Sequence, residues 1–122
     1  MSASRCVLCV PECLCSRMPS EYSFLNSEQI FEVHELVQHQ DWIKNVNLVI
    51  IFDVGNIKRL KTILSEINSH TLPTLNIDHH PHEGDNLFTY NLVDINAAAT
   101  GEMLYNYLKL ARTGQFPKEI CE

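Results

Sequence analysis

The sequence predicts an α/β fold: a mostly parallel sheet flanked by helices. Three observations point there. The run Asn47 to Phe52 (Asn-Leu-Val-Ile-Ile-Phe) is continuously apolar and rich in branched side chains, then stopped by Asp53 and Gly55. Such a run suits a strand buried on both faces. Next, Ile57, Leu60, Leu64 and Ile67 recur along one face of a helix. A second short strand follows, Thr74 to Ile77, ending at Asp78. Strand, helix and strand in alternation require crossover connections, and crossovers run neighbouring strands parallel.

Each element has its own local cause. Cys6-Val7-Leu8-Cys9-Val10 reads as a short strand in which cysteine serves as a small hydrophobe. Residues 11–19 run between two prolines as loop, and Tyr22-Ser23-Phe24-Leu25 is expected to anchor a turn against the core. Ser27 is a fitting N-cap for a helix carrying Ile30, Phe31, His34 and Val37, whose periodicity fades before Asp41. Asn56 caps the next helix, and Pro73 stops it. After a polar turn through Pro81 and Gly84, Leu87 to Val93 read as a third strand. Asp94 or Asn96 then caps a last helix from Ala97 to about Ala111, with Met103, Leu104, Tyr107, Leu108 and Ala111 on its apolar face. The expected organisation is a cysteine-rich strand and loop over residues 1–20, then one domain over 21–122.

A chain of 122 residues supports one modest core. Its 45% apolar and 20% charged residues are near the globular average. No apolar run approaches the roughly 18 residues of a spanning helix, so no membrane partner is expected. The formal charge of -6 excludes attraction of nucleic acid by a general basic field. A phosphate-bearing ligand must therefore be held locally, by a few donors or by metal ions. Of the five cysteines, Cys6, Cys9, Cys13 and Cys15 crowd the N-terminus and Cys121 stands apart; the odd total argues against a closed disulfide set. Structural zinc sites take ligand pairs from two separated knuckles, and this cluster has no second half, so no zinc is expected. The short apolar stretch, broken by Pro11 and Glu12 behind a single Arg5, does not make a signal peptide, and the cytoplasm is the expected location.

Two carboxylates occupy equivalent places. Asp53 and Asp78 each end a strand, and open α/β sheets bind ligands beyond the carboxyl ends of their strands. Asp78 is followed at once by His79 and His80. Two imidazoles and two carboxylates at one sheet edge form a mixed nitrogen and oxygen ligand set that suits Mn2+, and Zn2+ or Mg2+ less well. Taken alone, Asp53 reads equally as a cap of the next helix. His34, His39 and His70 read as surface or satisfied core residues, and His82 as a solvated turn residue. Asp94, Thr100 and Glu102 read as structural, Glu102 complementing the helix dipole. Lys58 and Arg59 fit a solvated face better than a phosphate site.

With those residues in place, the sequence resembles the DHH family of phosphoesterases, the group that includes RecJ and the NrnA-type oligoribonuclease/pAp phosphatases. The resemblance runs through Tyr22-Ser23-Phe24-Leu25, Leu48-Val49-Ile50-Ile51-Phe52-Asp53 and Asn76-Ile77-Asp78-His79-His80-Pro81. It continues in Asn91-Leu92-Val93-Asp94 and Ala98-Ala99-Thr100-Gly101-Glu102, covering roughly residues 20 to 111. It implies phosphoester hydrolysis with manganese, Mg2+ being the alternative ion, on short oligonucleotides or 3′-phosphoadenosine 5′-phosphate (pAp). By resemblance Asp53 is a carboxylate shared between two ions, His79 is a ligand of one ion, and His80 contacts the scissile phosphate. Asp78 would orient the histidine pair from behind.

The departures carry equal information. The family's first motif, a His followed by an Asp-x-Asp pair, has no counterpart before Asp53, and Val7-Leu8-Cys9-Val10 matches the strand after it. The fourth motif, with a further metal-binding Asp, and the substrate-binding second domain are also missing, so the chain reads as the middle of a catalytic domain. Two ions held about 3.5–4 Å apart need several carboxylates to offset their repulsion. The expectation is therefore at most one weakly held ion and little or no turnover, with a non-catalytic nucleotide-binding or regulatory module as the alternative. The unpaired sheet edge left by a missing first strand would favour association, most simply as a homodimer.

Overall fold

Branched residues, turn residues and proline place the elements in the order the sequence dictates. The computed structural model describes residues 6–7, 20, 23–24, 31–32, 36–81 and 87–112. These form β1 (Cys6–Val7), β2 (Phe31–Glu32), α1 (Leu36–Ile43) and β3 (Val49–Phe52). A 3-10 turn (Ile57–Leu60) then leads into α2 (Lys61–Ser69), followed by β4 (Thr74–Asp78), β5 (Tyr90–Val93) and α3 (Thr100–Ala111).

Among the described residues all strand pairs are parallel. β1 pairs with β2, and β3, β4 and β5 form a separate sheet in that order, with β4 central. The register pairs Val49 with Thr74, Phe52 with Ile77, Leu75 with Tyr90, and Asp78 with Val93. The starts of β4 and β5 are pinned by a reciprocal exchange. The Thr74 amide donates to Thr89 Oγ1 at 3.0 Å, and the Thr89 amide donates to Thr74 Oγ1 at 2.9 Å.

Side chains alternate across a strand, so the register sorts the sheet into two faces. Ile51 looks into the core with Ile43, Val54, Ile57, Leu60, Ile63, Ile67 and Phe88, against which Trp42, Val49, Leu64 and Leu72 pack. Of the helical face expected from Ile57, Leu60, Leu64 and Ile67, Leu64 is half-buried and the other three are buried, and Ile63 joins them. The strand expected to be buried on both faces is buried on one. Ile51 is 6% exposed, whereas Ile50 beside it is 48% exposed, and Phe52, Tyr90 and Leu92 share its open side. An unbroken apolar run states that neither face is polar; it does not state that both are covered.

Two further expectations are corrected. The helix placed on Ile30, Phe31, His34 and Val37 begins instead at Leu36 and continues through Asp41, while Phe31–Glu32 is strand. The buried stripe of α1 is His39 and Ile43, four residues apart, and Val37 is 90% exposed. The last helix starts at Thr100 rather than Ala97. Asp94 does not cap it: the Asp94 side chain accepts the Asn96 amide in a tight turn at 2.9 Å. Ser23 donates to the Ser20 carbonyl in a short turn, as the sequence suggested, but Phe24 there points into solvent. Tyr22, Leu25, His34, His82 and Cys9, Cys13, Cys15 and Cys121 lie outside the described residues. Among the described residues no helix is long and apolar enough to cross a membrane.

The division of the sheet into a packed and an open face yields a direct test. Leu60→Ala is expected to lower the unfolding free energy by roughly 2–5 kcal/mol. Ile50→Thr is expected to change it by no more than about 0.5 kcal/mol. Urea denaturation of the two variants beside the wild type measures both.

Candidate metal centre

The site lies at the carboxyl ends of β3 and β4, where the chain leaves the sheet twice. At the first exit Asp53 donates its amide to the Ile77 carbonyl at 3.0 Å, extending the ladder by one bond. Its φ of 59° is left-handed, a conformation aspartate tolerates better than most residues. The chain thereby turns sharply. Gly55, also left-handed at φ 64°, brings its amide onto the side chain of Asp78. A residue other than glycine would be strained at that φ.

Asp78 ends β4 and is fully buried, 0% exposed. Its Oδ2 accepts the Gly55 amide, and its Oδ1 accepts the His80 amide at 2.9 Å and His80 Nδ1 at 2.7 Å. Burial works to raise its pKa. The hydrogen bonds from the His80 and Gly55 amides and the His80 imidazole, with the charge of that ring, outweigh it and hold the carboxyl below its usual 3.8.

The second exit carries His79 and His80, whose ring centroids are 4.4 Å apart at 53°. His79 Nδ1 lies 3.3 Å from the Ala97 carbonyl. A carbonyl can only accept, so Nδ1 carries the hydrogen of that contact, and Nε2 is the lone-pair nitrogen whenever the ring is neutral. That Nε2 faces Asp53 Oδ1 at 3.4 Å, and His80 Nδ1 lies 3.6 Å from the same oxygen. Asp53, His79 and His80 thus offer three ligand atoms within 4.8 Å of one another. A bare imidazole nitrogen facing a carboxylate oxygen is two acceptors without a hydrogen between them. A proton or a cation resolves that, and metal bonds of about 2.0–2.2 Å to each atom are compatible with the gap. The donor set therefore fits one divalent ion.

Of the four residues expected at this edge, three converge around one point, and Asp78 stands behind His80. Its carboxylate is hydrogen-bonded to the His80 ring, and the His79 ring is supported by the Ala97 carbonyl. Glu102 is engaged elsewhere, its Oε2 accepting the Ala98 amide at 2.8 Å. The Arg59 guanidinium donates to the Val54 carbonyl at 3.3 Å, and Lys58 is exposed. His39 is buried in α1 and His70 is exposed at the end of α2, neither belonging to the cluster. Two participants escaped sequence reasoning. One is the Ala97 carbonyl; the other is Thr100, whose hydroxyl donates to Asp53 Oδ1 at 2.8 Å. A backbone carbonyl leaves no sequence signal, and Thr100 reads as an ordinary first-turn residue.

No protein-family model and no curated protein matches the sequence. Among solved structures, an exopolyphosphatase-related protein from Bacteroides fragilis is similar in fold, with a TM-score of 0.61 and 13% identity. The match covers 78% of this chain and 28% of that one, so the chain spans little more than a quarter of that structure. At that identity the likeness shows the α/β fold alone.

The carboxyl of Asp78 gives stability a defined pH dependence. Because its folded pKa is depressed, its contribution is complete above the ordinary value of 3.8 and is lost as pH falls through the lower folded value. Asp78→Asn is expected to cost roughly 1–3 kcal/mol near neutral pH, by removing the charged acceptor from its donors. The variant should also lose less stability than the wild type on acidification, read from thermal melts between about pH 6 and pH 2.

Proposed function

We propose that the chain is a metal-dependent phosphoesterase domain of the DHH type, acting on short oligonucleotides or pAp-like nucleotides. The observation that carries this reading is the meeting of Asp53, His79 and His80 at the carboxyl edge of a parallel sheet. The fold likeness to an exopolyphosphatase-related protein supports phosphate-bond chemistry in general terms. Asp53 and His79 Nε2 are the proposed ligands. Manganese is the proposed ion, with magnesium as the alternative, because mixed carboxylate and imidazole donors suit it best of the hard cations. When bound, such an ion supplies Lewis acidity and lowers the pKa of a coordinated water.

The remaining roles belong to the chain's own groups. Asp78 fixes the His80 ring through Nδ1, and the opposite edge of that ring is left to meet a phosphate oxygen. The Ala97 carbonyl fixes His79 so that Nε2 faces the carboxylate. The overall charge of -6 leaves substrate capture to this local site. A cytoplasmic location, and the division of the chain at residue 20, belong to the same reading. So does a homodimer, since among the described residues β3 is an edge strand and Ile50, Phe52, Tyr90 and Leu92 line an open apolar face.

One observation favours a second reading. The described residues bring together ligands for one ion, whereas in-line displacement between two ions needs more carboxylates. A module that binds nucleotide and hydrolyses it weakly or not at all is consistent with that count.

Manganese-dependent hydrolysis of a dinucleotide and of pAp tests both. Hydrolysis is expected to be slow, to disappear on chelation, and to fall by more than about 100-fold in Asp53→Ala and His79→Ala, beyond the usual cost of losing a supporting residue. His80→Ala is expected to slow hydrolysis while retaining ion uptake. Nucleotide binding without turnover above those variants would select the second reading.

A further inference from the structure

Thr100 is polar, 6% exposed, and placed in the first turn of α3. A hydroxyl near a helix start commonly bonds the helix's own free amides. Here it does not: Ala99 is the N-cap and no side chain caps the helix. The Thr100 hydroxyl crosses 47 positions of sequence to donate to Asp53 Oδ1 at 2.8 Å. That same oxygen faces His79 Nε2 and His80 Nδ1.

The left-handed backbone at Asp53 sends the side chain out of the sheet and leaves its two side-chain torsions to be set. Its side chain is 55% exposed, so packing alone does not set them. A hydrogen bond from a buried, β-branched and therefore rotamerically stiff residue does. The chemistry of the donor matters as well. A lysine or arginine would fix the carboxylate and neutralise it, competing with a cation. A hydroxyl fixes it and leaves the full negative charge.

We infer that Thr100 is a positioning residue for the ion-binding carboxylate: its hydroxyl locks Asp53 in the orientation that faces the histidine pair. The inference rests on the proposed reading of Asp53 as a metal ligand. It also makes the start of α3 part of the site, since the element carrying Thr100 carries the carboxylate's anchor.

The test is Mn2+ titration of the full chain by calorimetry, with melting curves of the ion-free proteins alongside. Thr100→Val keeps the shape and removes the donor, Thr100→Ser keeps the donor, and Thr100→Ala is a second deletion that a first helical turn accommodates. Val and Ala variants are expected to bind Mn2+ about tenfold more weakly, and the Ser variant within about threefold of wild type. A structural hydrogen bond with no bearing on the ion would lower the melting temperature of the Val variant and leave its affinity unchanged; that result overturns the inference. Equal weakening in Ser and Val variants overturns it too. Wild type that takes up no Mn2+ overturns Asp53 as a ligand and this role with it, whereas uptake undiminished in the Val and Ala variants overturns the role of Thr100 alone.

Discussion

A carboxylate taken wholly out of water destabilises a fold unless donors surround it, and the geometry around Asp78 is that requirement worked out in backbone. Three donors reach it: the Gly55 amide from the loop after β3, and the amide and ring of His80 from the loop after β4. One buried charge therefore joins two loops that are 23 residues apart in sequence. It fastens the turn at Gly55 to the end of the neighbouring strand. All three residues that converge at the site lie on these two loops.

The site is accordingly a product of parallel register. β3 and β4 end together, Phe52 opposite Ile77, so the residues that follow each strand emerge side by side. The left-handed turn at Asp53 then bends one exit toward the other. Each imidazole is tethered by an acceptor at Nδ1, Ala97 for His79 and Asp78 for His80, and each is thereby held in one tautomer when neutral. These are separate restraints on separate side chains. Their common effect is to hold His79 Nε2 and His80 Nδ1 facing the Asp53 carboxylate before any ligand arrives.

Much of this was legible in the residues. The branched run before Asp53, the proline before Thr74 and the Asp-His-His triplet at a strand end point to the parallel sheet and to the meeting of Asp53 with His79 and His80. What escaped has physical reasons. Hydrophobic pattern reports what is apolar and is silent on which neighbour covers it, so Ile50 and Phe52 were expected inside and stand exposed. Helical periodicity is ambiguous by a residue or two in short elements, which is why Val37 was placed on a buried stripe that belongs to His39 and Ile43. Side-chain chemistry alone offers Asp94 or Asn96 as the cap of α3, while the helix is capped at Ala99 and the Asp94 carboxylate accepts the Asn96 amide in a turn of its own. Thr100 is the clearest case. Its partner lies 47 positions away, and no local pattern encodes a contact at that range.

The left-handed backbone at Asp53 also constrains how this position can change over generations. Among side chains, glycine, asparagine and aspartate are the ones that accept such a φ readily. Codons for asparagine and glycine each lie one nucleotide transition from those for aspartate. Both replacements satisfy the turn, and both erase the negative charge. The backbone therefore leaves open a short mutational path along which the architecture survives while its affinity for cations is silenced. Descendants that travelled it would be recognised by an intact Asp78 and His80 pair beside an uncharged residue at position 53.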